Sequence, residues 1–370
     1  MSIRLFCIII LTASISFSCT NKSEVATNSS ERLTPLVITD TVSYDTDDPA
    51  IWINKADPSK SIIIGTDKDA NGGLYAFGLD GKILKDRIVK GLQRPNNVDI
   101  AYGLHLGDTT VDIAVVTERN THNLRVFTLP NLTSIDGGGI PVFDGETQAG
   151  FRDLMGVALY TQPETGNIYA IVGRKSGPMT NGYLWQYLLE DDGKGVVKAT
   201  LVRKFGEYSG KKEIESIAVD NELGYVYYSD EGVGVRKYFA NPSKGNDELA
   251  LFATTGFSQD HEGISIYKID DGTGYILVSD QQANRFQVFP REGTAGNSHD
   301  HQLIKIVEMS TQESDGSDVT NVSLGEQFKS GLFVAMSTDK TFQFYRWEDI
   351  ASKDLMIAPN GKLSASTVSR

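Results

Sequence analysis

Short apolar runs rich in Val, Ile, Tyr and Phe alternate along the chain with turns rich in Gly, Asp and Asn. No long stretch repeats its apolar residues at the period of about 3.6 residues that an amphipathic helix requires. Runs of this kind, bounded by turn-forming residues, are typical of β-strands. The pattern therefore predicts an all-β fold.

The apolar runs form a unit of three strands that recurs six times along the chain. In each unit a polar residue leads into the first strand, a second apolar strand follows, and an aromatic strand comes third. The leading residues, spaced about fifty positions apart, are Asp48, Asp99, Asp153, Glu215, Glu262 and Asp318. Six such units predict a six-bladed β-propeller. A sandwich or a barrel is the structural alternative, but neither requires the same order of three strands in every unit.

Residues 34–353 are assigned to this propeller domain. The apolar segment Leu36–Val42 precedes the first unit. We predict that it completes the last blade, because closing the ring in this way would remove an exposed strand edge. The segment 354–370 is predicted to be a loose C-terminal tail.

The N-terminal residues have the features of an export signal. Arg4 is followed by the apolar run Leu5–Leu11 and by small residues ahead of Cys19. We expect residues 1–18 to be a signal peptide and Cys19 to be lipidated, as in bacterial lipoproteins of the cell envelope, periplasmic or surface. Ordinary secretory cleavage is the alternative. Residues 19–33, rich in Ser, Thr and Asn, are expected to form a flexible tether.

The charge balance limits the partners that the chain can bind. Its 370 residues include 35 Lys and Arg against 48 Asp and Glu, a formal net charge of −13. Nucleic acid binding requires a basic surface that displaces phosphate counterions, so we expect no nucleic-acid partner. A polyanionic ligand would need a cation as a mediator.

Acidic and amide residues recur at the entry to the first strand of the units. In a propeller this strand borders the central channel, so its entry residues line one mouth of the ring. They are Asp47, Asp48, Asn97, Asp99, Asp153, Glu215, Glu262, Asp315 and Asp318. Carboxylates that face one another raise each other's pKa, and a set of hard oxygen ligands favours Ca²⁺. The alternative is that these residues cap turns and strand entries.

The ends of the second strands differ in charge around the ring. Units one to three end with the cationic residues Lys68, Arg119, Arg174 and Lys175, and units four and five end with Asp230, Glu231 and Asp280. Lys and Arg fit phosphate oxygens, so the first group is predicted to bind phosphate. Solvated surface charge is the alternative. The motifs G-x-S-x-G, P-loop and H-E-x-x-H are absent, so no covalent nucleophile is indicated.

Two motifs resemble the paired fingerprint of the β-propeller phytases, a family of calcium-dependent alkaline, 3-phytase-like enzymes. They are the run Asp45–Ile53, which reads DTDDPAIWI, and the run Asn96–Ile100, which reads NNVDI. Three later segments match in the same order, namely Glu213–Glu215, Asp260–Gly263 and Ser314–Val319. The resemblance covers roughly residues 40–350.

This resemblance implies release of phosphate from phytate (myo-inositol hexakisphosphate) or calcium-phytate by attack of a calcium-bound water. It implies that Lys68, Arg119 and Lys175 bind phosphate groups. The residues that it implies for the calcium ions are Asp47, Glu215, Glu231, Asp260, Glu262 and Asp315, and we expect Glu215, Glu231 and Glu262 to be catalytic. Asp48 and Asn97 would shape neighbouring calcium-binding backbone, and Asp318 is expected as a further metal ligand.

The chain departs from residues common in that family at Ala101, Met155 and Ser216 and in the loop Met336–Lys340. We therefore expect fewer structural calcium ions than in well-studied members. Two other functions stay open, a lactonase-like calcium-dependent propeller hydrolase and a non-enzymatic propeller that binds glycans or proteins at the envelope. A monomer is expected in each case.

Overall fold

The computed structural model describes residues 32–359 of the chain. The predicted signal peptide 1–18, the lipidation site Cys19, most of the tether 19–33 and the tail beyond residue 359 lie outside the described residues. Among the described residues, no helix has the length and the apolar character needed to cross a bilayer.

Strands dominate the described chain and form six sheets arranged as the blades of a propeller, which confirms the predicted fold. Strand β1 is Val37–Ile38. Blade one contains β2 (Thr46–Trp52), β3 (Ile62–Asp67), β4 (Gly72–Phe77) and β5 (Ile83–Leu92). Blade two contains β6 (Pro95–Leu106), β7 (Thr109–Glu118), β8 (Asn123–Leu129), β9 (Thr133–Ser134) and β10 (Ile140–Pro141). Blade three contains β11 (Leu154–Thr161), β12 (Ile168–Arg174), β13 (Leu184–Asp191) and β14 (Val197–Phe205).

Blade four contains β15 (Ile217–Asp220), β16 (Tyr225–Asp230), β17 (Gly234–Phe239) and β18 (Ala250–Phe252). Blade five contains β19 (His261–Lys268), β20 (Gly274–Asp280), β21 (Arg285–Pro290) and β22 (Lys305–Glu308). Blade six contains β23 (Ser317–Thr320), β24 (Leu332–Ser337) and β25 (Thr341–Arg346), followed by helix α1 (Trp347–Ala351). Short 3-10 helices span Pro58–Lys60, Arg119–Thr121, Pro242–Lys244 and Gln281–Ala283.

Strand β1 supplies the fourth strand of blade six, as predicted from the segment Leu36–Val42. It pairs with β25 in antiparallel fashion, with Val37 opposite Phe344. The backbone N–H of Leu36 donates to the carbonyl of Phe344 at 2.8 Å, and that of Thr39 donates to Phe342 at 3.0 Å. The first strand of the described chain therefore closes the ring against the last one.

Six apolar clusters lie between neighbouring blades, one at each junction around the ring. Side chains alternate between the two faces of a strand, so both faces of a blade must be apolar. In β3, Ile63 packs toward blade six, whereas Ile62 and Ile64 pack toward blade two. This two-sided burial explains why the strands read as nearly continuous apolar runs.

The segment that follows α1 differs from the predicted loose tail. Leu355 and Ala358 are buried, and the backbone N–H groups of Met356 and Ala358 donate to the hydroxyls of Tyr275 and Tyr267. The described start of this segment is therefore docked on blade five. The apolar run Leu355–Ala358 in the sequence was an available signal of this packing.

Candidate active site

The pairing of the first two strands in each blade determines which residues reach the mouth of the channel. In blade one, Thr46 pairs with Asp67 but Pro49 pairs with Gly65, so β2 carries one extra residue. The same shift occurs in blades two, three and five. Such β-bulges re-aim side chains and are frequent next to active sites.

The register identifies one equivalent position in all six blades, two residues before the first regular pair of the first strand. It is occupied by Asp47, Asn96, Met155, Glu215, Glu262 and Asp315. We call these six residues the mouth ring. Four of them carry carboxylates, one carries an amide, and Met155 is apolar.

The mouth ring contains the predicted residues Asp47, Glu215, Glu262 and Asp315, whereas the residues predicted for units two and three lie outside it. Asp48 is one residue beyond the ring. By the same count, Asp99 and Asp318 lie three residues beyond the ring, and Asp153 lies two residues before it. Spacing along the chain could not reveal this difference, because the bulges and the loops of unequal length shift the register.

The last residue of each second strand holds the loop that leads into the first strand of the same blade. In blade one, the Asp67 carboxylate accepts the backbone N–H groups of Tyr44 at 2.9 Å and Asp45 at 2.8 Å. In blade five, the Asp280 carboxylate accepts that of Ser258 at 2.8 Å. The six loop-holding residues are Asp67, Glu118, Arg174, Asp230, Asp280 and Ser337. All six are buried, which leaves the next residue at the edge of the mouth.

The residues that follow the loop-holding residues are Lys68, Arg119, Lys175, Glu231, Gln281 and Thr338. We call them the rim residues. The rim is cationic in blades one to three, anionic in blade four and neutral in blades five and six. The cationic half of the rim agrees with the charge asymmetry expected from the sequence. The expected anionic half is reduced to Glu231, because Asp230 and Asp280 belong to the buried loop-holding set.

Arg174, predicted to bind substrate, is a structural residue of blade three. Its side chain is 0% exposed. The guanidinium donates to the backbone carbonyls of Tyr183 at 3.0 Å, Phe151 at 3.1 Å and Gly182 at 2.5 Å. A guanidinium that is enclosed in this way is not available to a substrate. The next residue, Lys175, is half exposed and pairs with Glu213 at 3.2 Å.

Lys68 joins two carboxylates of the mouth ring. Its ammonium pairs with Asp47 and, at 3.2 Å, with Asp315. Burial lowers the pKa of Lys68, but the charges of Asp47, Glu215 and Asp315 outweigh burial and hold the pKa well above its usual value. Asn96 connects the same carboxylates from another side, since its amide donates to Asp47 at 3.1 Å and Glu215 at 3.0 Å.

The carboxylates on the blade-four side repel one another. Burial, followed by the charges of Glu215, Glu213 and Asp260, raises the pKa of Glu231 to about 9. Burial and the charge of Glu231 likewise raise the pKa of Glu262 well above its ordinary value. Such shifts mean that protons or a cation must neutralise this group of side chains near neutral pH.

Several buried oxygens at the mouth have no hydrogen-bond partner among the described residues. They are Asn96 Oδ1, Asn97 Oδ1, Glu231 Oε1 and Glu262 Oε2. One oxygen each from Glu213, Glu215 and Glu231 also lies within 4.8 Å of the others. Unsatisfied buried oxygens are costly, and an all-oxygen donor set suits a hard cation such as Ca²⁺. The residues present therefore fit the expected calcium.

Asp48, Asp99 and Asp318 have a separate role along the channel, where they line a cavity of about 230 Å³. Each accepts a backbone N–H from the first strand of the next blade. The Asp318 carboxylate, for example, accepts the N–H of Ile51 at 2.8 Å and so joins blade six to blade one. These hydrogen bonds join neighbouring blades, so the three residues have a structural role. Metal binding by Asp48 and Asp318 stays a prediction.

Sequence reasoning missed four polar residues at the mouth. Glu213 and Asn96 belong to the family-like motifs Glu213–Glu215 and Asn96–Ile100, so their place in these motifs could have indicated a role at the mouth. Lys212 pairs with Asp260, and the Gln281 amide donates to Asp315. Neither contact could be inferred from spacing, because each joins loops of different blades.

Comparisons with known proteins agree with this geometry. A family model described as Phytase matches residues 2–354. The 3-phytase of Bacillus subtilis (strain 168) is 30% identical over 323 residues, which cover 82% of this chain and 80% of the relative. The prediction of a phytase enzyme is thereby confirmed. On both grounds, the chain belongs to the phytase family.

Proposed function

We propose that this protein is a calcium-dependent phosphomonoester hydrolase that releases phosphate from phytate by attack of water on phosphorus. One observation carries the proposal. Buried carboxylates with unpartnered oxygens stand at the same mouth as the cationic half of the rim. A cation site beside phosphate-binding side chains is the arrangement that hydrolysis of a highly charged phosphate ester requires.

The cationic rim would hold the substrate. Lys68, Arg119 and Lys175 lie on consecutive blades, so they present positive charge along an arc of the mouth. Arg119 is fixed by donation from its Nε to the carbonyl of Leu154 at 3.1 Å. Holding several phosphate groups at once orients one of them for reaction and keeps its neighbour in place.

The acidic side of the mouth would hold calcium through Asp47, Glu215, Glu231, Asp260, Glu262 and Asp315. When bound, calcium offsets the charges of the carboxylates and the phosphate, and it activates the attacking water. Asn96 orients the carboxylates of Asp47 and Glu215 toward each other. Glu231, with a pKa raised to about 9 without a cation, would give up its proton as the ligand set becomes ionised.

The alternative functions have weaker support. A neutral lactone would make no use of three cationic rim residues, and the family comparison favours phytase. A non-enzymatic envelope propeller would need calcium for structure, but it would not need a phosphate-binding arc beside the acidic cluster. We therefore retain phytate hydrolysis as the proposed function.

Phosphate release from phytate provides the test. We expect release in calcium, loss of release in excess chelator, and a rate reduced by at least about a hundredfold for Glu215→Gln. Glu164→Gln, at an exposed position on the turn between β11 and β12, is the matched control and should keep full activity. Undiminished release in chelator would exclude the calcium mechanism, and a folded wild type without any release would favour a binding protein.

We also propose that the chain is exported and anchored through a lipid on Cys19. The sequence of residues 1–19 supports this proposal. Labelling of expressing cells with a fatty-acid analogue should mark the wild type and leave Cys19→Ser unmarked. Equal labelling of both chains would exclude lipidation at this cysteine.

A further inference from the structure

We infer that Lys212 is an additional substrate-binding residue, which pairs with Asp260 in the metal-free protein and binds a phosphate group of the substrate once calcium occupies the site. The inference rests on the proposed function. It extends the phosphate-binding arc from blade three into the entry loop of blade four, where the rim residue itself is acidic.

The backbone around Lys212 is held firmly. Asp230, the loop-holding residue of blade four, accepts the N–H of Ser209 at 3.0 Å and its hydroxyl at 2.7 Å. The hydroxyl of Tyr208 donates to the carbonyl of Lys212 itself. Tyr208 in turn packs against Tyr183, with ring centroids 4.4 Å apart. The loop therefore presents the Lys212 side chain from a fixed base.

The Lys212 ammonium lies between a buried carboxylate and solvent. It pairs with Asp260 Oδ1, and the two side chains are 46% and 9% exposed respectively. The second oxygen of Asp260 accepts the amide of Gln282 at 2.7 Å. Both oxygens of this expected calcium ligand are thus occupied by donors, one of which is a cation on a flexible stem.

Calcium and the Lys212 ammonium compete for Asp260. A divalent cation that binds the Asp260 carboxylate weakens its ion pair with Lys212, because the cation and the ammonium then share the negative charge. The released ammonium remains at the mouth, half exposed and one residue from Glu213, which pairs with the rim residue Lys175. A polyphosphorylated substrate supplies the anionic partner that the lysine has lost.

Lys211 offers a matched control on the same loop. It is exposed, and its ammonium reaches the carbonyl of Gly232 at 3.5 Å. Substitution of Lys211 changes the net charge by the same amount as substitution of Lys212. It leaves the ion pair with Asp260 in place, so it separates a local contact from a general change in charge.

The experiment compares the wild type with Lys212→Met, Lys212→Arg and Lys211→Met, all checked by circular dichroism and thermal melting. The first readout is calcium binding by calorimetry. Loss of the competing ammonium should tighten calcium binding to Lys212→Met by about threefold to tenfold. The second readout is binding of myo-inositol hexakissulfate, a probe that the enzyme need not hydrolyse, to the calcium-loaded protein.

We expect Lys212→Met to weaken binding of this probe about tenfold, and Lys212→Arg and Lys211→Met to weaken it less than about threefold. Equal weakening in Lys211→Met and Lys212→Met, or unchanged probe binding in Lys212→Met, would overturn the inference. If Lys212→Met does not fold, Lys212→Gln replaces it with the same expectations. Because probe binding requires no turnover, absence of phosphate release from phytate would refute the proposed function without deciding the role of Lys212.

Discussion

Two neighbouring residues of blade three show how closely structural and functional roles alternate along the chain. Arg174 is enclosed by backbone carbonyls, whereas Lys175 reaches the rim. Both are basic, so residue type alone assigned both to substrate binding. The repeat of loop-holding residue and rim residue in six blades separates them.

We predict that substitution by methionine affects stability at one of these two positions and substrate binding at the other. Arg174→Met leaves the carbonyls of Tyr183, Gly182 and Phe151 without their donor and should lower the free energy of unfolding by at least about 3 kcal/mol. Lys175→Met should change stability by less than about 0.5 kcal/mol but raise KM for phytate. Urea unfolding and steady-state kinetics check the pair, and equal loss of stability in both variants would contradict the assignment.

A buried lysine makes stability depend on pH. Lys237 is fully buried, donates to the carbonyl of Ser298 at 2.6 Å, and has its pKa lowered to about 8 by burial. The usual value is about 10.4, so between pH 8 and pH 10 the unfolded chain binds more protons. The contribution of Lys237 to stability should therefore rise across this range, by about 2 kcal/mol.

Comparison with Lys237→Met isolates this effect. The difference in unfolding free energy between the wild type and the variant, measured in urea at several pH values, should increase from pH 8 to pH 10. A difference that stays flat across this range would show that the ammonium is not desolvated.

At the scale of elements, the pairing of β1 with β25 holds the ring closed. Removal of residues 32–41 abolishes the backbone bonds of Leu36 and Thr39 to blade six. We expect a loss of about 3–5 kcal/mol of stability and increased self-association through the exposed edge of β25. Thermal melting and light scattering test this against a chain that starts at residue 32, and an unchanged melting temperature would contradict closure by β1.

Element order and strand number were predictable from the sequence, but the register was not. The recurrence of apolar runs indicated six blades, because a strand that is buried on both faces forms a nearly continuous apolar run in the sequence. The bulge that brings Asp47 and Glu262 into the mouth ring adds one residue without any change in local composition. Because the register could not be read from the sequence, Asp99 and Asp318 were predicted to lie at the mouth. In the structure they accept hydrogen bonds from the first strand of the neighbouring blade.

For the whole molecule, calcium binding and stability should be linked. The mouth carboxylates come from four different blades, so a cation held among them joins blades that otherwise repel one another at this end. A ligand that binds the native state alone raises its stability. We predict a melting temperature that falls in chelator and recovers with added calcium, measured by scanning calorimetry; an identical transition in both conditions would contradict the metal site.

Closure by β1 also constrains the order of folding. Val37 and Phe344 pair across 344 − 37 = 307 residues, so this contact closes one of the longest loops that the described chain can form. Such distant pairings form late and slowly, since loop entropy opposes them until the rest of the structure is in place. A nascent chain therefore cannot seal the propeller until its sixth blade has been synthesised. Until then β1 has no partner, and an unfinished polypeptide is open to misassembly at that edge.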